Sequence, residues 1–253
     1  MGTLVNPSIL AAMAGITNGD FANQCLSEGG AGRVTIGGYS IGKEMIMASN
    51  QILQRGREEF TLQVGKESSQ ILREANKISN FSQLIINLRI NNSENAGKFA
   101  RDFHDLSSRK ENPILEINAH CQQPEVTQKG GGQGLLQRFD VLTDVIRVFQ
   151  SKDFEVSLKI RGNAIDPDLF IPRVKQWQLD FLHIDSYKIG KKGTDLALLK
   201  HYKNNVNTPL IGNNSIVDKK SAQAVLNTGV QFFSVARAAN NNPLLFHSLV
   251  KHF

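Results

Sequence analysis

The first 32 residues contain no lysine or arginine, so the basic start of a secretory signal is missing. No apolar run reaches the length needed to span a bilayer. Cysteine is scarce: Cys25 and Cys121 are the two in 253 residues. One bridge would add little to a chain with so much surface to bury, and Cys121 falls in a candidate site. Both thiols therefore read as reduced, in an intracellular, cytoplasmic setting. The segment Ala11 to Asn18, after the first apolar run, has one glycine where a dinucleotide fingerprint needs three. Acidic residues are in deficit, 23 against 29 Lys+Arg, for a net charge of +6. That balance favours anionic partners such as phosphates or nucleic acid.

What the chain does have is alternation. Strands are expected at Ser8–Met13, Arg33–Ile36, Leu84–Ile90, from Ile114, and at Glu155–Ile160, Phe181–Asp185, Thr208–Ile211 and Gln231–Val235. Between them lie helical patterns at Asp20–Ser27, Lys43–Leu53, Glu67–Ile78, Asn95–Leu106, Leu135–Phe149, Pro167–Gln178, Thr194–Tyr202, Lys219–Asn227 and Pro243–Lys251. Eight strands alternating with helices predict an α/β fold, the TIM (β/α)8 barrel, in one domain over 1–253. A doubly wound open sheet is the other arrangement this order allows. Phe60–Val64 also alternates like a strand, so 57–80 is expected to be an insertion between strands two and three.

In such a barrel the chemistry lies at the carboxyl ends of the strands. Strand one ends in the small residues Ala12, Met13 and Ala14. Strand three carries Asn87 and Arg89. Strand four delivers Asn118, His120 and Cys121, followed by the glycine-rich Gly130–Gly134. Strand five ends in Lys159 and Arg161, which share a face, and strand six in His183 and Asp185. Strand seven ends in Gly212, Asn213 and Asn214, and strand eight in Ala236 and Arg237. The last two ends are the usual phosphate site of the fold. Lys188, Lys191 and Lys192, beside Tyr187, form a basic loop after strand six.

Taken together, AAMAGIT, INAHCQQPEV with GGGQGLL, SLKIRG, IGNNSI and SVARAANNNP resemble the successive motifs of the tRNA-dihydrouridine synthases. Those are FMN-dependent barrel reductases related to the dihydroorotate dehydrogenases, and the likeness is nearest to an archaeal branch. The resemblance implies that Ala12, Met13 and Ala14 line the flavin ring. It places Asn118 beneath flavin and substrate, Cys121 as proton donor, and Lys159 at the flavin's N1–O2 edge. Gly212, Asn213, Ala236 and Arg237 would hold the phosphate, with Asp185 near the cofactor and His120, Arg161 and Lys188 toward substrate. Asn87, 31 residues before Asn118, competes with Gln63 for the flavin-ring contact.

Three positions depart from the pattern the resemblance implies: Ala12 stands where a proline is usual, His120 replaces the glycine before the cysteine, and Asp185 stands where a histidine is usual. With the sequence running to the eighth helix, the helical domain by which the synthases grip tRNA is not expected here. The expectation is an FMN oxidoreductase acting on a C=C bond of a small, anionic, pyrimidine-like substrate, with a reduced nicotinamide or another carrier as electron source. No metal and no membrane are expected. Reduction of tRNA uridine, and a non-redox barrel that binds a phosphorylated ligand, are the alternatives.

Overall fold

The computed structural model describes residues 6–108 and 111–250. Lys251, at the end of the last expected helix, lies outside them. Eight parallel strands close a barrel in chain order, β1 pairing with both β2 and β8. In sequence the elements are β1 (Ser8–Leu10), α1 (Gly19–Ser27), β2 (Arg33–Ser40), α2 (Lys43–Gln54), α3 (Glu67–Ala75), β3 (Leu84–Arg89) and α4 (Ser93–Leu106). They continue with β4 (Ile114–Ala119), α5 (Pro124–Thr127), α6 (Phe139–Gln150), β5 (Val156–Arg161), α7 (Pro167–Trp177) and β6 (Phe181–Asp185). The last are α8 (Leu196–Asn205), β7 (Leu210–Asn213), α9 (Lys219–Leu226), β8 (Phe232–Val235), α10 (Arg237–Asn241) and α11 (Leu245–Val250). No helix of the described residues is long and apolar enough to cross a membrane.

Strand alternation divides each strand between two surroundings. The outward set, including Leu10, Ile36, Leu88, Leu115, Ile117, Leu158, Ile184 and Phe233, packs under the helices in one large apolar cluster. The inward set is layered. Ile9, Ile85, Ile114 and Ile211, with Phe181 and Phe232, plug the amino end. The Arg33 guanidinium lies 4.9 Å from the Phe232 ring centre. Above this plug the interior turns polar, and only the carboxyl end is left open for chemistry.

Three expectations change. Phe60–Val64 is no strand: it is irregular, with Phe60 stacked 4.7 Å from Tyr39 and its chain crossing close over Gly15. β2, expected over Arg33–Ile36, runs on through Gly37 and Gly38 to Ser40. The helix expected from Leu135 breaks at Arg138, whose φ of −134° separates a 3-10 segment, Gly132–Gln137, from α6.

Gly212 also takes a different role. It lies on the outer face of β7, where an added Cβ would meet Val225 at 2.6 Å and Leu199 at 3.1 Å. It lines neither cavity described below. Its missing side chain answers to helix packing. Gly212→Ala should therefore cost about 1–3 kcal/mol of stability, the range for overpacking a core. Urea unfolding reads this directly. Unchanged stability with lost anion binding at the mouth would return Gly212 to the ligand.

Candidate active site at the carboxyl mouth

The site is built from the barrel centre upward. Glu116 and His183 face each other there, Nδ1 to Oε2 2.7 Å, both fully buried. Glu116 also accepts from Asn87 at 2.7 Å and from Ser157 at 3.1 Å. His183 Nε2 is 2.7 Å from Ser234 Oγ, which in turn accepts from the Asn213 side-chain amide. These directions fix the tautomer: the Asn213 amide donates to Ser234, Ser234 to Nε2, and Nδ1–H to the carboxylate. Burial and the Lys159 charge hold His183 below its ordinary pKa, so the ring is neutral. Burial alone would raise the Glu116 carboxyl, but His183, Lys159 and Asn87 outweigh it and hold it low. The Ser–His–Glu geometry resembles a hydrolase triad. Yet Ser234 is buried and already accepts a bond, so it serves orientation and not attack.

One layer up, the Asn118 amide donates to Asn87 Oδ1 at 2.8 Å. Its oxygen then accepts from the backbone N–H of His120 at 3.1 Å and of Cys121 at 2.9 Å. Asn118 thus folds the turn that presents both residues. Cys121 is packed behind by Met45, Ala48, Ile52 and Val126. Gly132 closes over it at φ +55°, where a Cβ would collide with the Cys121 carbonyl at 2.4 Å. The glycine-rich segment is therefore a fitted backing for Cys121. Burial pushes the other thiol, Cys25, up to about 12, and Cys25 lines neither cavity at the mouth.

Two cavities, of about 960 and 660 Å3, open here and share Ala12, His120, Arg161 and Arg237. The larger adds Lys159, Asp185, Asn213, Ser234 and Ala236, and the smaller Met13, Ala14, Gly38, Asn118 and Cys121. Lys159 is 5% exposed and makes no hydrogen bond or ion pair among the described residues. With no hydrogen bond of its own and only the field of Glu116 beneath it, this buried cation would gain from an anionic or strongly polar ligand. Beside it, Arg161 Nε is buried and unbonded, and its guanidinium lies 5.3 Å from the Tyr187 ring centre. Asn214 and Ser215 both take left-handed backbone, at φ 109° and 53°.

Several expected site residues fall elsewhere. Asn87 has both ends of its amide engaged inside the barrel and lines neither cavity, so it does not reach a ligand ring. Gln63 is exposed and lines neither cavity. Lys188 is exposed away from the cleft, while Lys191 and Lys192 of the same loop line the larger cavity. Asn213 faces the cavity, but its side-chain amide bonds back to Ser234.

Other residues were not foreseen. Arg57, Glu58 and Glu59, from the segment read as an insertion, form a wall of the smaller cavity. Glu59 pairs with Arg89 at 2.7 Å, both nearly buried. Nothing in the sequence marks Glu59. Glu116 does carry a signal, a carboxylate inside the apolar run ILEI, which must find a buried partner.

The fold and mouth define a parallel α/β barrel with a cleft at its carboxyl end lined by Lys159, Arg161 and Arg237. The family model for dihydrouridine synthases matches residues 182–253, from β6 onward. An uncharacterised protein of Methanocaldococcus jannaschii is 33% identical, the match covering 90% of this chain and 87% of that one. The tRNA-dihydrouridine synthase B of Proteus vulgaris is 25% identical across 99% of this chain and 72% of its own. Among solved structures, a mutant of FabK from Thermotoga maritima superposes with a TM-score of 0.55 at 16% identity, covering 92% of this chain and 61% of that one. The chain belongs to the dihydrouridine-synthase-like superfamily, within a branch that includes the archaeal relative.

The buried charges set the acid sensitivity of the fold. Burial would raise Asp185, but His120, Asn214 and Arg161 prevail and hold it at about 2. Glu116 is lowered too, and His120 and His183 lie below the usual 6.5. All four groups therefore bind protons more readily when unfolded, so stability should fall as pH falls. The loss begins as unfolded imidazoles charge below about pH 7 and steepens as unfolded carboxylates protonate below about pH 5. Urea midpoints across that range test it, and a flat profile from pH 7 to 4 would refute it. Glu116→Ala, which strands His183 and Asn87, should cost about 3–5 kcal/mol at pH 7.

Proposed function

We propose that this chain is a flavin-dependent reductase of a C=C bond in a uracil-type ring, with FMN as cofactor. The observation that carries the reading is Lys159, a buried and unpartnered cation in the larger cavity, two residues before Arg161. The residues present fit the group. Ala12, Met13 and Ala14 offer small or flexible walls for a flat ring, and Lys159 a counter-charge for its reduced, anionic edge. Ala236 and Arg237 supply backbone and charge for a phosphate.

When bound, reduced FMN supplies a hydride to one carbon of the double bond. Cys121 holds a proton at Sγ for the other carbon. Asn118 keeps the His120–Cys121 turn in place, and the Gly132 backing excludes water behind the thiol. A reduced nicotinamide is the expected source of electrons.

For the substrate, uridine within tRNA is the first reading, because the relatives of known activity are named for that reaction. It displaces the free small anion that sequence alone favoured. Lys191 and Lys192 at the cavity lip are the charges that would meet a phosphate backbone. A small anionic pyrimidine remains the second reading, because Lys159, Arg161 and Arg237 would also meet a single small anion within the cleft.

Heat should release close to one equivalent of FMN per chain, and Lys159→Ala should weaken FMN retention. A colourless protein that takes up no added FMN would sink the cofactor claim. Cys121→Ala should leave flavin reduction by nicotinamide intact and slow substrate turnover by about 10²–10⁴-fold, the range for a lost general acid. Dihydrouridine formed in unmodified tRNA, measured by nucleoside mass spectrometry, would support the first reading. Turnover of free pyrimidines alone would select the second.

A further inference from the structure

His120 is a cleft residue whose hydrogen bonding is half complete. Its Nε2 lies 2.6 Å from Asp185 Oδ2. The other carboxylate oxygen accepts from the Asn214 amide at 2.7 Å, and Arg161 stands 3.7 Å away. The carboxylate accepts on both oxygens, so the hydrogen shared with His120 belongs to Nε2. Burial and the neighbouring charges of Lys159 and Arg161 oppose a second proton on the ring, against the pull of Asp185. Nδ1 therefore carries a lone pair. It has no partner among the described residues and is not enclosed, and His120 stands where the two cavities meet.

Among the side chains shared by the two cavities, His120 is the neutral acceptor and Arg161 and Arg237 are donors. The imide edge of a uracil-type ring runs carbonyl, N–H, carbonyl: acceptor, donor, acceptor. A cytosine-type ring has a lone pair at the central nitrogen and would set it against Nδ1. We propose that His120, held in one tautomer by Asp185, is the specificity residue that accepts the ring N–H of a uracil-type substrate and turns away cytosine-type rings. This rests on the reductase reading and adds the determinant of its ring preference. Asp185 is a positioning residue, acting through the imidazole.

The test combines tautomer and discrimination in the purified flavin-containing protein. Histidine 15N NMR, with His120→Gln assigning one of the six histidines, should show a neutral ring protonated at Nε2. In Asp185→Asn the new amide donates to Nε2, and the proton should move to Nδ1. Uridine 5′-monophosphate should bind the wild type at least about tenfold tighter than its N3-methyl analogue or cytidine 5′-monophosphate, the effect of one buried hydrogen bond. That ratio should fall toward one in Asp185→Asn. An Nδ1-protonated or doubly protonated His120 in the wild type, or equal binding of the three nucleotides while uridine is still reduced, would overturn this assignment alone. No nucleotide binding, with reduction of neither free uridine nor uridine in tRNA, would overturn the reductase reading, and the assignment with it.

Discussion

A carboxylate at the centre of a closed barrel, with no water to solvate it, must be satisfied completely or not be there. Removing an ion from water costs several kcal/mol even after relaxation, and here Glu116 offsets that with His183, Asn87 and Ser157. Full satisfaction also fixes directions. Because Asn87 gives its N–H to Glu116, its oxygen must accept, and Asn118 must donate to it. The Asn118 oxygen is then free to receive the backbone of His120 and Cys121. On the other branch, the Nδ1–H of His183 leaves Nε2 as acceptor, which orients Ser234 and, through it, Asn213. A donor–acceptor order set at the core thus runs up both sides of the barrel to the mouth. Such networks specify one arrangement because a single reversed amide strands a buried group.

The mouth divides its cations into two kinds. Arg89 is neutralised by Glu59 and closes the wall formed by the 57–62 segment. Lys159, Arg161 and Arg237 are left for a ligand, with Asp185 as the carboxylate beside them in the larger cavity. Lys159 also sits above Glu116 and lowers its pKa, so the same charge serves the core from above and the cleft from below. An anion bound at Lys159 would compete with Glu116 for its field and couple ligand binding to the stability of the centre.

The barrel was legible because hydrophobic alternation with helices has few architectural solutions. The strand-end rule then located most of the cleft: Ala12, Asn118, His120, Cys121, Lys159, Arg161, Asp185 and Arg237 all line it. What sequence could not separate was depth. Asn87 and Asn118 look equivalent in a list of polar strand residues, yet one is spent in the core layer and the other at the mouth. Gly212 looks like a phosphate loop because glycine permits close approach, and it does not say to what; here the approach is to Val225. The 57–62 segment failed for another reason. Its contribution is tertiary, a loop folded across the mouth, and Glu59 becomes a site residue only when Arg89 is seen beneath it.

His120 and Asp185, two of the three positions the resemblance marks as departures, lie 65 residues apart in the chain and are in direct contact. Taken singly, each is unfavourable. A histidine in place of a small glycine crowds the cleft, and a carboxylate among cations repels an anion that an imidazole would hold. Taken together they fit one another: the imidazole after β4 and the Asn214 amide each donate to the carboxylate at the end of β6, and Arg161 stands 3.7 Å from it as a counter-charge. The cleft keeps an imidazole and most of its positive field, but the ring is now oriented by a fixed acceptor. A free histidine at the end of β6 could present either nitrogen to a ligand. One tied through Nε2 presents a lone pair, and that converts a general anion-binding group into one that asks for a donor.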